Sequence, residues 1–291
     1  MTAHTPPLTL LCVHPHPDDE SIACGGVLAK AVDEGVRAVV VTCTGGEEGE
    51  NLAGIDLGEE DLVIHRRREL AAALEALGVR HHHTLGYRDS GMAGSAGNEH
   101  PDSFHGADLE VAARGLAAIV RAERPAVMIS DDAEGTYGHP DHVKANRVTV
   151  RAVALAADPA ADVAGAPWRV AKRYVHTLAK GRLLTIHRRL RDAGLASPFG
   201  DDAADDVASL PFGSPDDQVT TEVDVRPWLG RKRAAMAAHR SQIGAESFFL
   251  NTPDELGQVL FGTEQFVLEA GGPPPGSVRP EADLFAGLRP D

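Results

Sequence analysis

Leu8-Thr9-Leu10-Leu11-Cys12-Val13 is an apolar run that breaks at once into His14-Pro15-His16-Pro17-Asp18-Asp19-Glu20. An unbroken apolar run of this length, closed by proline, reads as a strand buried on both faces. Residues 21–34 follow with helical spacing. Strand, short turn and helix open a parallel α/β unit, and the first half of the chain repeats that unit. Residues 38–43 (AVVVTC) read as a second buried strand. Residues 64–77 read as a helix with Leu70, Leu74 and Leu77 on one face, and residues 80–85 as a weaker strand. A helix over 108–122, a strand over 126–131 and a helix over 142–156 complete the series. This repetition predicts an α/β fold: a Rossmann-like, mostly parallel sheet with helices on both faces.

The pattern changes after Ala157. Residues 158–167 form a low-complexity connector. Residues 169–177 look like a strand, 180–193 like a basic helix, and 198–217 like an acidic Gly/Pro-containing loop. A strand over 218–225 and a helix over 228–241 follow, and 271–280 is a Pro/Gly segment. The expected organisation is a catalytic core over 1–157 with 158–291 as a C-terminal elaboration packed on it. Two long connections, 44–63 and 86–107, interrupt the first half. Both follow strands and both are rich in Gly, Asp, Glu and His, so both are expected to serve function.

Bulk properties narrow the partners. The formal net charge is −15, from 43 acidic residues against 28 Lys plus Arg. A phosphate-rich partner is repelled by that balance, so neither nucleic acid nor an anionic membrane surface is expected. No stretch approaches the roughly 18 consecutive apolar residues of a membrane span. Residues 1–7 carry neither a basic nor an apolar segment, so no secretory signal is expected, and the cytoplasm is the expected location. The three cysteines, Cys12, Cys24 and Cys43, show no C-x-x-C spacing. They read as buried thiols, not as a disulfide framework or a cysteine zinc site.

The turn after the first strand is where a nucleotide-binding fold would carry a glycine-rich phosphate loop. Three consecutive carboxylates there would repel a pyrophosphate but suit a cation, since His offers nitrogen, Asp offers oxygen and Pro17 stiffens the turn. Acidic residues at that point also favour a helix N-terminus, so the segment alone supports either reading. A second segment, Gly135-Thr136-Tyr137-Gly138-His139-Pro140-Asp141-His142, also follows a strand and opens a helix. If the two strands are sheet neighbours, the segments meet at one crevice. Two His and one Asp with open positions is the donor set of a catalytic metal. It suits Zn2+ and also Fe2+. A carboxylate and a His beside such a centre suit base and acid roles in metal-assisted hydrolysis.

Taken together, His16-Pro17-Asp18-Asp19-Glu20 and Gly138-His139-Pro140-Asp141-His142 resemble the LmbE / PIG-L family of metal-dependent de-N-acetylases. The resemblance extends to residues 43–50 (CTGGEEGE), Arg66 with Glu69-Leu70, Arg88-Asp89-Ser90-Gly91-Met92, His239-Arg240-Ser241-Gln242 and residues 283–288 (DLFAGL). The later segments are most similar to the mycothiol branch, which includes a deacetylase of N-acetylglucosaminyl-inositol and a mycothiol S-conjugate amidase. The resemblance implies a zinc-dependent hydrolase cleaving the amide of a small amino-sugar conjugate. Deacetylase, conjugate amidase and secondary-metabolite deacetylase all remain open, as does a hydratase on the same scaffold.

By the same resemblance, His16, Asp19 and His142 would bind the metal. Asp18 would take a proton from the attacking water, and His139, oriented by Asp141, would act near the leaving amine. Tyr137 would help hold the oxyanion. Arg66, Asp89, Met92 and His239 would contact substrate. Three positions depart from the pattern: His14 offers a competing imidazole, Thr136 replaces a frequent Gly, and Ala23 stands where conjugate amidases carry Lys. His81-His82-His83 reads as a surface feature, and residues 45–50 as a turn that shapes the site. The absence of G-x-S-x-G argues against a serine hydrolase.

Overall fold

The computed structural model describes residues 8–194, 210, 212–272, 276 and 278–289. The expectations for residues 1–7 and for most of the acidic 198–217 loop lie outside them. Among the described residues, seven strands form one mixed sheet: β1 (Thr9–His14), β2 (Arg37–Thr44), β3 (His81–Tyr87), β4 (Val127–Ser130), β5 (Lys172–Thr177), β6 (Thr221–Asp224) and β7 (Thr263–Ala270). Their order across the sheet is β3-β2-β1-β4-β5-β7-β6. The first five are parallel, while β7 runs antiparallel between β5 and β6. The helices are α1 (Asp19–Asp33), α2 (Leu62–Leu77), α3 (Leu109–Glu123), α4 (Pro140–Ala157), α5 (Lys180–Asp192), α6 (Leu229–Ala238) and α7 (Asp254–Phe261).

β1 is buried at all six positions, as its continuous apolar run requires. Alternation along the strand then feeds two cores. Leu10 and Cys12 pack among residues of α1, α2 and α6, while Leu11 and Val13 pack among residues of α3 and α4. Cys12, Cys24 and Cys43 are buried free thiols, as expected.

The second half joins the same sheet. β5 lies beside β4 in the parallel set, so the sheet continues through the expected boundary at 157/158. Two elements were not anticipated, α7 and β7. β7 carries Glu264 and Gln265, which look solvent-facing in sequence but are buried. Glu264 is balanced by Lys232 Nζ at 2.6 Å and accepts Gly26 N at 2.7 Å and Val27 N at 2.8 Å from within α1. Gly26 permits that approach, because a Cβ there would lie 2.5 Å from Val225 Cβ. α6 ends at Ala238, three residues short of its expected end.

The sheet order reverses at β1, which has β2 on one side and β4 on the other. Ligands of open α/β sheets bind at such a switch point, beyond the strand C-termini. Both His-Pro-Asp turns leave these two adjacent strands there.

Candidate metal centre

The first turn is tightly wound. Asp18 precedes α1 with φ 125° and ψ −31°, a backbone state that a non-glycine residue adopts only under constraint. Its N–H donates to Glu20 Oε2 at 3.0 Å. Arg66 braces the turn from α2 by donating to Pro17 O at 2.7 Å, Gly46 O at 2.9 Å and Asp18 Oδ2 at 3.3 Å. The twist at Asp18 separates two neighbouring carboxylates. Asp18 faces Arg66, whereas Asp19 Oδ2 accepts His16 N at 2.8 Å and lies 3.5 Å from His16 Nδ1.

The second turn opens α4. His139 caps the helix, and Pro140 occupies the first turn, where a missing N–H costs nothing. One turn further, His142 Nε2 lies 3.6 Å from Asp19 Oδ1. The rings of His16, His139 and His142 converge, with centroids 4.6 to 5.4 Å apart.

His16, His139 and His142 bring ring nitrogens within 4.8 Å of one another, with Asp19 beside two of them, a cluster that can hold a metal ion. His16 and His142 each turn one ring nitrogen toward Asp19, and each has its other nitrogen beside a carboxylate. His142 Nδ1 is 2.6 Å from Asp131 Oδ1. His16 Nε2 is 3.3 Å from Asp141 Oδ2 and 3.4 Å from Asp89 Oδ1. Metal-ligating histidines are held in this way, with the second nitrogen on an outer carboxylate.

The charges agree with this arrangement. Burial disfavours a charged His16, but Asp141, Asp19 and Asp89 outweigh it and hold its pKa well above the ordinary range. Burial likewise opposes a charged Asp19, yet His142 and His16 hold its carboxyl below the usual range. Burial and the Asp19 charge push Asp18 up to about 6, against the pull of Arg66. Burial and the neighbouring His16 and His142 bring His139 down to about 4.

Several expected site residues occupy different roles in the structure. The Asp141 side chain does not hydrogen-bond the His139 ring. Its carboxylate accepts Ser90 N at 2.9 Å and Ser90 Oγ at 2.5 Å and faces His16. Only its backbone N–H meets His139, donating to Nδ1 at 3.1 Å. Arg66 is buried with its terminal nitrogens on protein acceptors, so it builds the turn and is not presented to substrate. His239 is fully buried, with Nε2 2.8 Å from Glu20 Oε1. Asp89 is buried against His16 and accepts Gly91 N at 2.8 Å. Met92 and Tyr137, both about half exposed, are at the surface, and Tyr137 Oη reaches to 3.4 Å from His142 Nε2.

The 86–107 connection reaches this cluster through Asp89, beside His16, and Ser90, on the Asp141 carboxylate. Residues 45–50 brace it, since Glu47 accepts Asp89 N at 2.8 Å. His81 and His82 are exposed and His83 half-buried, as the strand reading expected. Sequence reasoning overlooked Asp131. Its signal was available: a carboxylate directly at the C-terminal end of a buried strand, beside the switch point.

A cleft of about 530 Å3 opens beside these turns, lined by Thr136 and Tyr137 on one side and Lys180, Ser214 and Gln218 on the other. That volume suits a small molecule. Among the described residues, no helix is long and apolar enough to cross a membrane.

Residues 11–153 match the PIG-L family, described as GlcNAc-PI de-N-acetylase. Two relatives carry the name 1D-myo-inositol 2-acetamido-2-deoxy-alpha-D-glucopyranoside deacetylase. The one from Thermomonospora curvata is 45% identical over 96% of this chain and 96% of its own. The one from Acidothermus cellulolyticus is 43% identical over 96% of this chain and 95% of its own. Among solved structures, a conserved protein from Thermus thermophilus superposes with a TM-score of 0.59 at 25% identity, covering 93% of this chain and 99% of that one. The protein is therefore a hydrolase of amide C–N bonds, a deacetylase by class. Within that class, the chain belongs to the PIG-L family.

Proposed function

We propose that this protein is a zinc-dependent deacetylase that removes the N-acetyl group of an N-acetylglucosaminyl-inositol, with His16, Asp19 and His142 as metal ligands. The convergence of His16 Nδ1 and His142 Nε2 on the Asp19 carboxylate carries the metal reading. The substrate reading is supported by the names of relatives that match the chain nearly end to end. When bound, the ion supplies a Lewis acid that polarises the acyl carbonyl and acidifies water.

The chain's own residues do the rest. Asp18 takes the proton of the attacking water as oxygen adds to the carbonyl carbon, and it is the group that can return a proton to the leaving amine. The C–N bond then breaks to give acetate and a free amine. The N–H that Asp141 donates to His139 Nδ1 fixes the tautomer of the neutral ring, so its Nε2–H is a hydrogen-bond donor to the reacting centre. Tyr137 is a second donor, for the oxyanion. The cleft beside Tyr137 takes the remainder of the substrate.

The test is a product analysis. Protein of known zinc and iron content is incubated with N-acetylglucosaminyl-inositol, free N-acetylglucosamine, a thiol-conjugate amide and an unsaturated acid. Acetate release from the first substrate in preference to the others is expected. Cleavage of the conjugate amide alone would make the enzyme an amidase of the same class. Addition of water to the unsaturated acid with no bond cleaved would make it a hydratase. Inertness toward both amino-sugar compounds would remove the substrate assignment.

A further inference from the structure

We propose that Asp131 is the positioning residue for His142, fixing the tautomer and direction in which that imidazole meets the metal. The inference rests on the metal reading above and adds a residue that the His-Pro-Asp turns do not contain.

Asp131 follows the last residue of β4 and is fully buried. Its Oδ1 lies 2.6 Å from His142 Nδ1, 2.9 Å from His176 Nε2 and 3.1 Å from the Thr136 hydroxyl, which donates to it. Its main-chain oxygen accepts Asn146 Nδ2 from α4 at 2.8 Å, which ties the end of β4 to the helix that carries His142. An ionised carboxylate can only accept hydrogen bonds. The proton of a neutral His142 must therefore sit on Nδ1, which leaves the Nε2 lone pair directed toward Asp19. With the proton on Nε2, two lone pairs would face each other across 2.6 Å, and the nitrogen turned to Asp19 would have none to offer a metal.

The local backbone is shaped around the same oxygen. Thr136 has φ 61°, a left-handed state that is an outlier for a β-branched residue. Its hydroxyl on Asp131 Oδ1 and its N–H on Asp132 Oδ1 at 2.8 Å hold it there. The departure from Gly noted in the sequence therefore supplies a hydrogen bond that Gly cannot make. The loop, the strand end and two histidines all converge on one carboxylate, the arrangement that second partners of metal ligands share.

The experiment is a chelator competition for zinc on the full chain, run on wild type, Asp131→Ala, Asp131→Asn, His176→Ala and Asp19→Ala. It is paired with 15N NMR of the His142 ring and melting of the metal-free proteins. Outer partners of this kind typically contribute roughly 10- to 100-fold in metal affinity. Asp131→Ala is expected to lose about that factor, with a mixed His142 tautomer. Asp131→Asn keeps an acceptor oxygen and is expected to recover most of the affinity and the Nδ1–H signature. His176→Ala is expected to bind zinc as wild type does.

Wild-type affinity and an unchanged tautomer in Asp131→Ala would overturn the proposal. So would an affinity loss in Asp131→Asn equal to that in Asp131→Ala, because charge and not direction would then be the cause. If Asp131→Ala does not fold, the Asn variant alone decides, through its tautomer. Asp19→Ala separates the layers: zinc retained at wild-type affinity in that variant overturns the metal reading itself, whatever Asp131 does.

Discussion

Asp18 and Asp19 are identical side chains one residue apart, and the backbone gives them opposite surroundings. The positive φ at Asp18 turns its carboxylate toward Arg66, while Asp19 begins α1 and faces two imidazoles. In the proposed reaction this gives a base and a ligand from one dipeptide. Asp18→Asn is expected to retain metal, by elemental analysis, and to lose about 100-fold or more in kcat, the usual range for removing a general base. His16→Ala is expected to lose the metal. His14→Ala is expected to keep it, because the His14 ring nitrogens group with Asp131 and His176 and with Cys12 and Cys24, whereas His16 groups with His139 and His142. Zinc loss in His14→Ala at a level equal to that in His16→Ala would reverse the choice between the two imidazoles.

At the scale of elements, α1 seats against β7 and against Val225, the residue after β6. Replacing helical Gly by Ala ordinarily stabilises by about 1 kcal/mol. Gly26→Ala is expected to do the reverse, with a net loss of about 1–3 kcal/mol, because its Cβ would press on Val225 and displace Glu264. Lys232→Met leaves Glu264 buried without its cation and is expected to cost about 3–5 kcal/mol. Urea unfolding measures both, and an unchanged or raised midpoint in either variant would contradict this account of the contact.

The same contact shows where reading from sequence stops. β1, β2 and β4 were legible because strands buried on both faces need unbroken apolar runs. The two site turns were legible because their chemistry lies in contiguous residues. β7 was not, since Glu264 and Gln265 are polar in sequence and become buried only through partners such as Lys232 and α1 backbone N–H groups, which pairing supplies from far along the chain. Asp131, Arg66 and His239 were misjudged or overlooked for the same reason. What each does is set by which distant group meets it, and that is a property of topology.

Over the whole molecule, the late helix α6 is locked to the first site turn by a fully buried ion pair, His239 with Glu20, so the two halves of the chain share one electrostatic link. Burial disfavours a charged His239, but the Glu20 carboxylate outweighs it and raises the pKa above the ordinary 6.5. Burial similarly opposes the Glu20 charge, and His239 outweighs it to lower that carboxyl below 4.5. The signs follow from proton counts. Between 6.5 and the raised value, the native state holds a proton on His239 that the unfolded chain has released, so stability falls as pH rises through that window. At the acid end, native Glu20 stays ionised below 4.5 while the unfolded chain takes up a proton, so stability falls as pH drops. The pair therefore contributes fully between the two windows. His239→Gln can still donate to Glu20 but cannot titrate. Its stability, measured by urea unfolding with chelator present from about pH 6 to about pH 9, is expected to decline less steeply than that of wild type. The slopes should differ by up to about 1.4 kcal/mol per pH unit, the limit for one proton. The comparison is made in an Asp18→Asn background, because the Asp18 carboxyl also feels the His239 charge, while His16 and His142 are common to both proteins. Parallel curves would mean that the proton on His239 is not the link between the halves.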